Sequence, residues 1–264
     1  MGKFFEILSL IRIRHWVKNI FVFSSIVFSK ELHNPDLLVK ISAAFLIFCL
    51  LSSSIYLFND IKDIEEDKNH PIKKNRMLPS GRLSVGLAWI LFFVFGTVSI
   101  LGSWLINIEF FTLAVTFFVL NLLYTIHLKH IVIIDVFVIA TGFLIRVVAG
   151  AYAITVEPSD WLFICSFLLA LFLGFCKRRH ELVLLEAAAG NHRRVLEKYS
   201  PYFLDQMIAV VTSASVVSYI LYTVSPETQA QFGTTNMIFT FPFVIYGIFR
   251  YLYLVHQREK GGSP

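Results

Sequence analysis

The sequence predicts an all-α protein, a polytopic membrane helical bundle that forms a single domain over residues 1–264. Three observations support this fold class. The chain is 56% hydrophobic, with a mean hydropathy of +0.70. Its apolar stretches are long enough to cross a bilayer as helices. Its positively charged residues lie almost entirely outside those stretches.

The hydropathy pattern predicts about eight membrane spans, each close to the length of a transmembrane helix. They lie near residues 16–29, 36–58, 84–106, 109–126, 131–154, 159–177, 205–224 and 235–255. Two segments between spans are rich in charged residues, a loop at 59–83 and a second loop at 177–204. We therefore expect the polar chemistry of the protein in these two loops.

The positions of Lys and Arg predict the orientation. With the N-terminus in the cytoplasm, all of the 23 Lys and Arg residues except Lys30, Lys40 and Arg146 fall in cytoplasmic segments. Cytoplasmic loops are enriched in positive residues, so we expect both termini and both charged loops on that side of the cell membrane. This bias, together with attraction to anionic lipid or substrate, explains the net charge of +5. Nothing in the charge pattern indicates a nucleic-acid partner.

The first charged loop begins with an acidic motif. At about 100° per residue, Asp60, Asp63 and Asp67 fall within about 60° of each other on one helix face. Three carboxylates on one face repel each other unless a hard cation lies among them, and Mg²⁺ commonly bridges such acids to substrate phosphates. The motif therefore predicts a metal site with these three aspartates as ligands. A solvated acidic helix end is the alternative.

A basic segment follows the acids directly. It contains Lys73, Lys74, Arg76 and Arg82, and its two prolines and Gly81 predict a bent loop that returns to the membrane. Such a loop would place the cations beside the acids, where they could stabilise a diphosphate leaving group. The alternative is the ordinary excess of positive charge in cytoplasmic loops.

A short turn between two later spans contains Tyr124 and Lys129, and Asp135 follows about one turn inside the next helix. A lone carboxylate at that depth costs energy unless it has a partner. Asp135 is therefore either a site residue, paired with Lys129 or a metal, or half of a structural ion pair.

The second charged loop begins with Lys177, Arg178 and Glu181, which lie within one helical turn of each other. Basic residues at the end of a span usually anchor it at the membrane surface. Glu181 is either their ion-pair partner or a further ligand of a metal or ribose.

Arg146 lies eleven residues beyond Asp135 and so roughly 16 Å deeper along the same predicted helix. A charge at that depth must face protein or water rather than lipid. Arg146 therefore either binds an anionic group or pairs with Glu157 or Asp160.

Taken together, the motifs resemble those of a known family. The string N-D-x-x-D-x-x-x-D at 59–67, followed by H-P-x-K-x-x-R at 70–76, resembles the first aspartate-rich motif of the UbiA superfamily of intramembrane prenyltransferases. The resemblance implies a UbiA-like helical bundle around a cavity open to the cytoplasm. It also implies nine spans, of which eight are recognisable here.

Within that superfamily the sequence is most similar to the decaprenyl-phosphate phosphoribosyltransferases. The segments that carry this resemblance are 14–19, 124–129 with Asp135, 142–150 and 177–182. It implies Mg²⁺-dependent transfer of 5-phosphoribose from phosphoribosyl diphosphate (PRPP) to a polyprenyl phosphate, with release of diphosphate, as a step of cell wall biosynthesis. Where the prenyltransferases usually carry a second D-x-x-x-D motif, this chain has Lys177-x-x-x-Glu181. That departure favours a sugar donor with several phosphates over a prenyl diphosphate.

The resemblance also implies roles for the candidate residues. Asp60, Asp63 and Asp67 would hold Mg²⁺, with Asn59 as a polar helper. The expected substrate-binding residues are Asn59, Lys73, Lys74, Arg76, Tyr124, Lys129, Asp135, Arg146, Lys177, Arg178 and Glu181, with Arg14 and Lys18 directed at the lipid phosphate. Three alternatives stay open: a prenyl diphosphate-dependent aromatic prenyltransferase, a transporter and a lipid-binding scaffold. The oligomeric state also stays open, a homo-oligomer included.

Overall fold

The structure is a computed structural model that describes residues 11–69, 73–187 and 198–257, without the side chains of residue 73 and of residues 184–187. In this part of the chain the regular elements are α-helices and short 3₁₀-helices, and there is no β-strand. The all-α prediction is confirmed.

The α-helices are α1 (Ser24–Phe28), α2 (Pro35–Lys62), α3 (Ile64–Lys68), α4 (Val85–Ile106), α5 (Ile108–Ile126), α6 (Ile134–Ala153), α7 (Asp160–Ala187), α8 (Pro201–Val224), α9 (Pro226–Phe232) and α10 (Phe241–Gln257). The 3₁₀-helices are Ile13–Phe23, Lys73–Asn75, Leu128–His130 and Asn236–Thr240.

Among the described residues, 7 helices are long and apolar enough to cross a membrane. They are Pro35–Lys62, Val85–Ile106, Ile108–Ile126, Ile134–Ala153, Asp160–Val183, Pro201–Val224 and Asn236–Gln257. The first predicted span, 16–29, is not among these helices because it is not one long α-helix, but it runs beside α2 from Arg12, which pairs with Asp60, to Phe23, which contacts Phe45. This segment consists of the 3₁₀-helix Ile13–Phe23 and the five-residue helix α1. Two of its polar residues, Asn19 and Ser25, are buried against other parts of the chain. The segment therefore packs against protein on this side and does not face lipid all round.

Polar caps fix where several of the helices begin. Asn34 and Ser200 each accept a hydrogen bond from a backbone N–H in the first turn of the helix that follows, and each is succeeded by proline. Proline suits the first helical position because its missing N–H would have no partner there. Ser84 and Asn107 cap α4 and α5 in the same manner without proline.

The chain divides into two compact units. Unit 1 comprises Met1–Lys129 and Gly142–Pro158, and unit 2 comprises His130–Thr141 and Ser159–Pro264. The helix α6 begins in unit 2 and ends in unit 1.

The core of unit 1 forms where α2 packs against α4, α5, the end of α6 and the first 3₁₀-helix. Its fully buried side chains include Phe48, whose ring contacts those of Phe110 and Phe117. Gly150 of α6 allows an especially close approach, because a Cβ atom there would lie 1.9 Å from the carbonyl oxygen of Val22. The first 3₁₀-helix is therefore held tightly against unit 1.

Unit 2 is built mainly from α7 packed along α8. Its buried apolar residues include Phe172 and Phe175 of α7 and Leu204 and Ile208 of α8. The helix α7 continues to Ala187, ten residues past the start of the second predicted loop. Part of that predicted loop, residues 188–197, lies outside the described residues.

Candidate active site

The acidic motif lies where α2 ends and α3 begins. Asp60 is in the last turn of α2, and Asp67 is in α3. Asp63 stands between the two helices with φ −97° and ψ 11°, so the predicted continuous helix is interrupted at this residue. The backbone N–H groups of Asp63 and Asp67 still donate to the carbonyl oxygens four residues before them, at 2.9 and 2.8 Å. The chain therefore bends at Asp63 while keeping its helical hydrogen bonds.

Arg76 connects two of the three aspartates. Its Nη1 atom lies 2.5 Å from Oδ2 of Asp67 and 3.2 Å from Oδ1 of Asp60. Asp60 also forms an ion pair with Arg12, whose guanidinium lies 5.0 Å from the centre of the Tyr56 ring. Asp60 and Asp67 thus share one patch of positive charge, as the helical spacing predicts.

Asp63 is held by a different cation. The Nζ atom of Lys129 lies 2.7 Å from Oδ1 of Asp63. Beside it, the hydroxyl of Thr125 donates a hydrogen bond to the side-chain carbonyl of Asn59. The end of α5 and the residues just beyond it are therefore bound to the end of α2, and Tyr124 lies half-buried in the same turn of α5.

The remaining predicted cations of the first loop lie differently. Lys74 and Arg14 are exposed, and the side chain of Lys73 is outside the described residues. Arg82 was expected to face the acids, but it donates to the Ser80 hydroxyl and to the backbone carbonyl of Asn75. It therefore stabilises its own loop.

A second acid–base cluster lies in unit 2, around the fully buried Asp135. The Nε atom of Arg178 donates to Oδ2 of Asp135 at 2.7 Å, and Nη1 of the same guanidinium lies 2.5 Å from Oε2 of Glu181. The hydroxyl of Tyr199 donates to Oδ1 of Asp135 at 2.7 Å. Asp135 thus forms an ion pair, one of the two alternatives that the sequence left open, and its partner is Arg178, whereas Lys129 pairs with Asp63. Lys177 lies half-buried in α7, one residue before Arg178.

Tyr199 is the residue of this cluster that sequence reasoning missed. Its hydroxyl also accepts a hydrogen bond from the backbone N–H of Ile133, at 2.6 Å. Burial, and then the hydrogen bond to Asp135, raise the pKa of Tyr199. The phenol therefore stays protonated at neutral pH and serves as a donor to the carboxylate. The sequence around Tyr199 does not indicate that its hydroxyl binds Asp135, because the two residues lie 64 positions apart.

Arg146 is buried in unit 1 and has no carboxylate partner among residues 11–69, 73–187 and 198–257. Its Nε atom donates to Oδ1 of Asn19 at 2.7 Å, and its Nη1 atom donates to the backbone carbonyl of Gly142 at 2.7 Å. Its guanidinium lies 4.5 Å from the centre of the Phe117 ring. The pairing with Glu157 or Asp160 that the sequence allowed is not formed. Asn19 is a further residue that the sequence analysis did not select.

The donor atoms of the acidic motif suit a hard divalent cation, since carboxylate and amide oxygens are the ligands that Mg²⁺ prefers. Within the described ranges, however, no three His, Cys, Asp or Glu side chains come close enough together to hold a metal ion. Arg12, Arg76 and Lys129 lie against the carboxylates instead. In this structure the patch is therefore neutralised by cations of the protein.

These features define a class of protein, a helical membrane protein with a mixed acidic and basic patch at one end of an apolar helix. Residues 20–263 match the UbiA prenyltransferase family, and the chain belongs to this family. It is therefore an integral membrane enzyme of the transferase class.

The chain is similar to several decaprenyl-phosphate phosphoribosyltransferases. It is 31% identical to that of Mycolicibacterium smegmatis over 225 residues, which cover 84% of this chain and 71% of the relative. It is 30% identical to that of Mycobacterium tuberculosis over 249 residues, 93% of this chain and 82% of the relative. The relative from Corynebacterium glutamicum is 30% identical, with 96% of this chain and 77% of the relative covered.

The fold is similar to solved structures of the same family. A UbiA homolog from Archaeoglobus fulgidus, bound to GPP and Mg²⁺, matches with a TM-score of 0.74 at 16% identity, over 94% of this chain and 86% of that one. A solved structure from a study of digeranylgeranylglyceryl phosphate synthase in membranes is also similar. It matches with a TM-score of 0.71 at 21% identity, over 100% of this chain and 91% of that one. These likenesses confirm the UbiA fold.

Proposed function

We propose that this chain transfers 5-phosphoribose from PRPP to a polyprenyl phosphate and releases diphosphate. The observation that carries the proposal is the likeness, at 30–31% identity over at least 84% of the chain, to three decaprenyl-phosphate phosphoribosyltransferases. The mixed charge of the patch around Asp60 and Asp67 supports it, because a diphosphate donor needs both a metal site and cations.

In this proposal Asp60, Asp63 and Asp67 hold Mg²⁺, with Asn59 beside them. When bound, the metal ion stabilises the negative charge that develops on the departing diphosphate. Each carboxylate is already paired with a cation of the protein. Binding of the metal would therefore release positive side chains for the phosphates of the donor.

The cations then have a direct role. Arg12, Arg76 and Lys129 lie within reach of the carboxylates, and Lys73 and Lys74 belong to the same loop. Guanidinium groups bind phosphate oxygens in a planar, two-point geometry and thereby orient the donor. The substrate-binding roles of Tyr124, Lys177, Arg178 and Glu181 stay predictions.

The reaction needs no nucleophile from the protein. An oxygen of the lipid phosphate forms a bond to C1 of ribose while the bond from C1 to the diphosphate oxygen breaks, and the electron pair leaves with diphosphate. The acceptor phosphate is already an anion at neutral pH, so it needs to be oriented rather than deprotonated. Carboxylates and cations are sufficient for this chemistry.

We also infer that the enzyme lies in the cell membrane with its N-terminus and the acidic patch facing the cytoplasm. The positions of Lys and Arg support this orientation. Single cysteines introduced at the exposed residues Lys74 and Glu31 into a chain from which Cys49, Cys165 and Cys176 have been removed would test it in sealed cells. We expect an impermeant thiol reagent to label the cysteine at 31 and to leave that at 74 unlabelled until the membrane is opened. The reverse pattern would invert the proposed topology.

The activity is tested by a product assay with purified protein, in which two donors and two acceptors are combined. The donors are PRPP and a prenyl diphosphate, and the acceptors are a polyprenyl phosphate and an aromatic acid. We expect a phosphoribosylated lipid by mass spectrometry only from PRPP with the polyprenyl phosphate, and loss of this product in the presence of a chelator. A prenylated aromatic product would instead identify the enzyme as an aromatic prenyltransferase.

A further inference from the structure

The turn formed by residues 11–15 has an unfavourable backbone conformation beside the acidic patch. Arg12 lies in the left-handed region, with φ 50° and ψ 48°. This region is unfavourable for a residue with a Cβ atom, and strain of this kind often occurs at functional sites. Within the turn, the backbone N–H of His15 donates to the carbonyl oxygen of Arg12 at 2.8 Å. Contacts with other parts of unit 1 must therefore stabilise Arg12 in this conformation.

One face of α2 supplies contacts of this kind. Ser53, Tyr56 and Asp60 follow one another at intervals of three and four residues, so they lie on the same side of the helix. The buried hydroxyl of Ser53 donates to the carbonyl oxygen of Ile11 at 2.7 Å, directly before the strained residue. Asp60 forms an ion pair with the side chain of Arg12. The turn is therefore attached to α2 through residues before and after Tyr56.

The ring of Tyr56 contacts two residues of the turn. The guanidinium carbon of Arg12 lies 5.0 Å from the centre of this ring, which is a cation–π distance. The ring of His15 lies 5.1 Å away, measured between the ring centres, at an interplanar angle of 41°. Neither contact involves the phenol hydroxyl. The aromatic ring of Tyr56, rather than its hydroxyl, therefore determines where the guanidinium of Arg12 lies.

Arg12 is held at the acidic patch without using all of its donors. Its Nη2 atom meets Oδ1 of Asp60, an oxygen that Nη1 of Arg76 also approaches, at 3.2 Å. A guanidinium has five N–H donors, and the side chain of Arg12 makes no other hydrogen bond to the residues that the structure describes. Arg12 can therefore keep its contact with Asp60 and still donate to an anion bound at the patch.

We infer that Tyr56 is a positioning residue for the transfer reaction. Its ring places Arg12 beside Asp60, and Arg12 in turn directs its remaining N–H groups at the diphosphate that leaves the donor. The inference rests on the proposed function, in which this diphosphate is bound at the acidic patch. Tyr56 touches no reacting atom in this assignment, so its effect on the rate passes through Arg12. A guanidinium that is already in place stabilises the leaving group without reorienting during the reaction.

The attachment of the turn is tested first, without any substrate. Trypsin cuts after Arg12 when the turn detaches from α2, so the rate of this cut reports the detached population. Limited digestion of the purified full chain with mass spectrometry measures that rate, and the cut after the exposed Lys74 is the internal reference. In Tyr56→Leu we expect the cut after Arg12 to be about three- to tenfold faster, the range of a cation–π contact. Tyr56→Phe keeps the ring and should be cut as slowly as the unmutated chain.

Steady-state rates with PRPP and the lipid acceptor then test the role of Tyr56 in the reaction. Tyr56→Leu should lower kcat about tenfold, and the conservative variant Tyr56→Phe should restore it. Arg12→Gln should lower kcat by about tenfold or more, because it removes charge-assisted hydrogen bonds to the leaving group. When combined with Arg12→Gln, Tyr56→Leu should lower kcat by less than about twofold further, since effects that pass through one residue do not add. Independent effects in the double variant would overturn the inference.

A smaller change keeps the test valid if Tyr56→Leu does not fold. Ser53→Ala removes a hydrogen bond of the turn and should speed the cut after Arg12 about threefold. Ser99→Ala is its matched control, because Ser99 is also a buried serine of unit 1. The hydroxyl of Ser99 donates within its own helix, to the carbonyl oxygen of Phe95 at 2.7 Å. We expect the cut after Arg12 to be as slow in Ser99→Ala as in the unmutated chain.

The outcomes separate this inference from the proposed function. Unchanged cutting after Arg12 in Tyr56→Leu and in Ser53→Ala would overturn the inference. An unchanged kcat of Tyr56→Leu would also overturn it, provided that the unmutated chain makes the phosphoribosylated lipid. A negative product assay with the unmutated chain would instead refute the proposed function, which the trypsin digests do not involve.

Discussion

The acid–base cluster of unit 1 and that of unit 2 use the same kinds of side chain in opposite ways. In unit 1 the side chains of Arg76 and Asp63 are 35% and 27% exposed, whereas Asp60 and Asp67, which share Arg76, are 14% and 2% exposed. In unit 2 the side chains of Arg178 and Asp135 are 2% and 0% exposed, and the carboxylate is further satisfied by Tyr199. Partly exposed pairs exchange partners at little cost, whereas buried pairs do not. The difference indicates that Arg76 and Asp63 of unit 1 can change partners more easily than the buried pair of Arg178 and Asp135 in unit 2.

The largest expected effect follows from breaking the buried network. Arg178→Met would leave Asp135 buried without its cation, and we expect a loss of about 3–5 kcal/mol in the free energy of unfolding. Denaturant unfolding in detergent measures it. Arg250→Met, at an exposed arginine of the same unit, should cost less than about 1 kcal/mol.

A double variant sharpens this prediction. In Arg178→Met with Asp135→Asn, no stranded charge remains, so part of the lost stability should return. If the double variant were less stable than Arg178→Met alone, the ion pair would not be the main interaction of Arg178.

The second prediction concerns the acidic patch of unit 1. Asp67→Asn keeps the shape of the side chain but removes a charged metal ligand, so we expect turnover to fall by about a hundredfold or more while the chain stays folded. Glu66→Gln is the matched control, since Glu66 is an exposed neighbour on the same short helix. Steady-state rates with PRPP and the lipid acceptor test both. Activity of Asp67→Asn within a few-fold of the unmutated enzyme would remove the metal role from this residue.

The smallest expected effect concerns Tyr199, which completes the buried network. Tyr199→Phe loses the hydrogen bond to Asp135 and should cost about 1–2 kcal/mol of stability near neutral pH. The raised pKa of Tyr199 means that folding opposes its ionisation, so its contribution is present below its ordinary value of about 10 and is lost as the pH rises above it. Unfolding measured from pH 8 to 11 should therefore show the difference between the two proteins shrinking above pH 10. A constant difference would contradict the assigned hydrogen bond.

Much of this fold follows from local sequence, because long apolar stretches and their caps determine seven helices within a few residues, except for the end of α7, which continues to Ala187. Local pattern also places Asp60 and Asp67 together. It could not identify Arg12 as the partner of Asp60, because the two lie 48 positions apart and Arg12 has a left-handed backbone with φ 50°. The partner of Asp135 lies 43 positions away for the same reason. Helical periodicity describes one helix at a time, and these pairings depend on how helices pack.

Gly150 shows how far packing can influence chemistry elsewhere in this enzyme. Its hydrogen atom occupies a position where even a methyl group would overlap the Val22 carbonyl, and Val22 lies only four residues from Lys18. An alanine at 150 would have to push that backbone outward and carry the lysine with it. A residue with no functional group of its own thus determines the depth at which a charged one is held, and it belongs among the least replaceable positions of the chain.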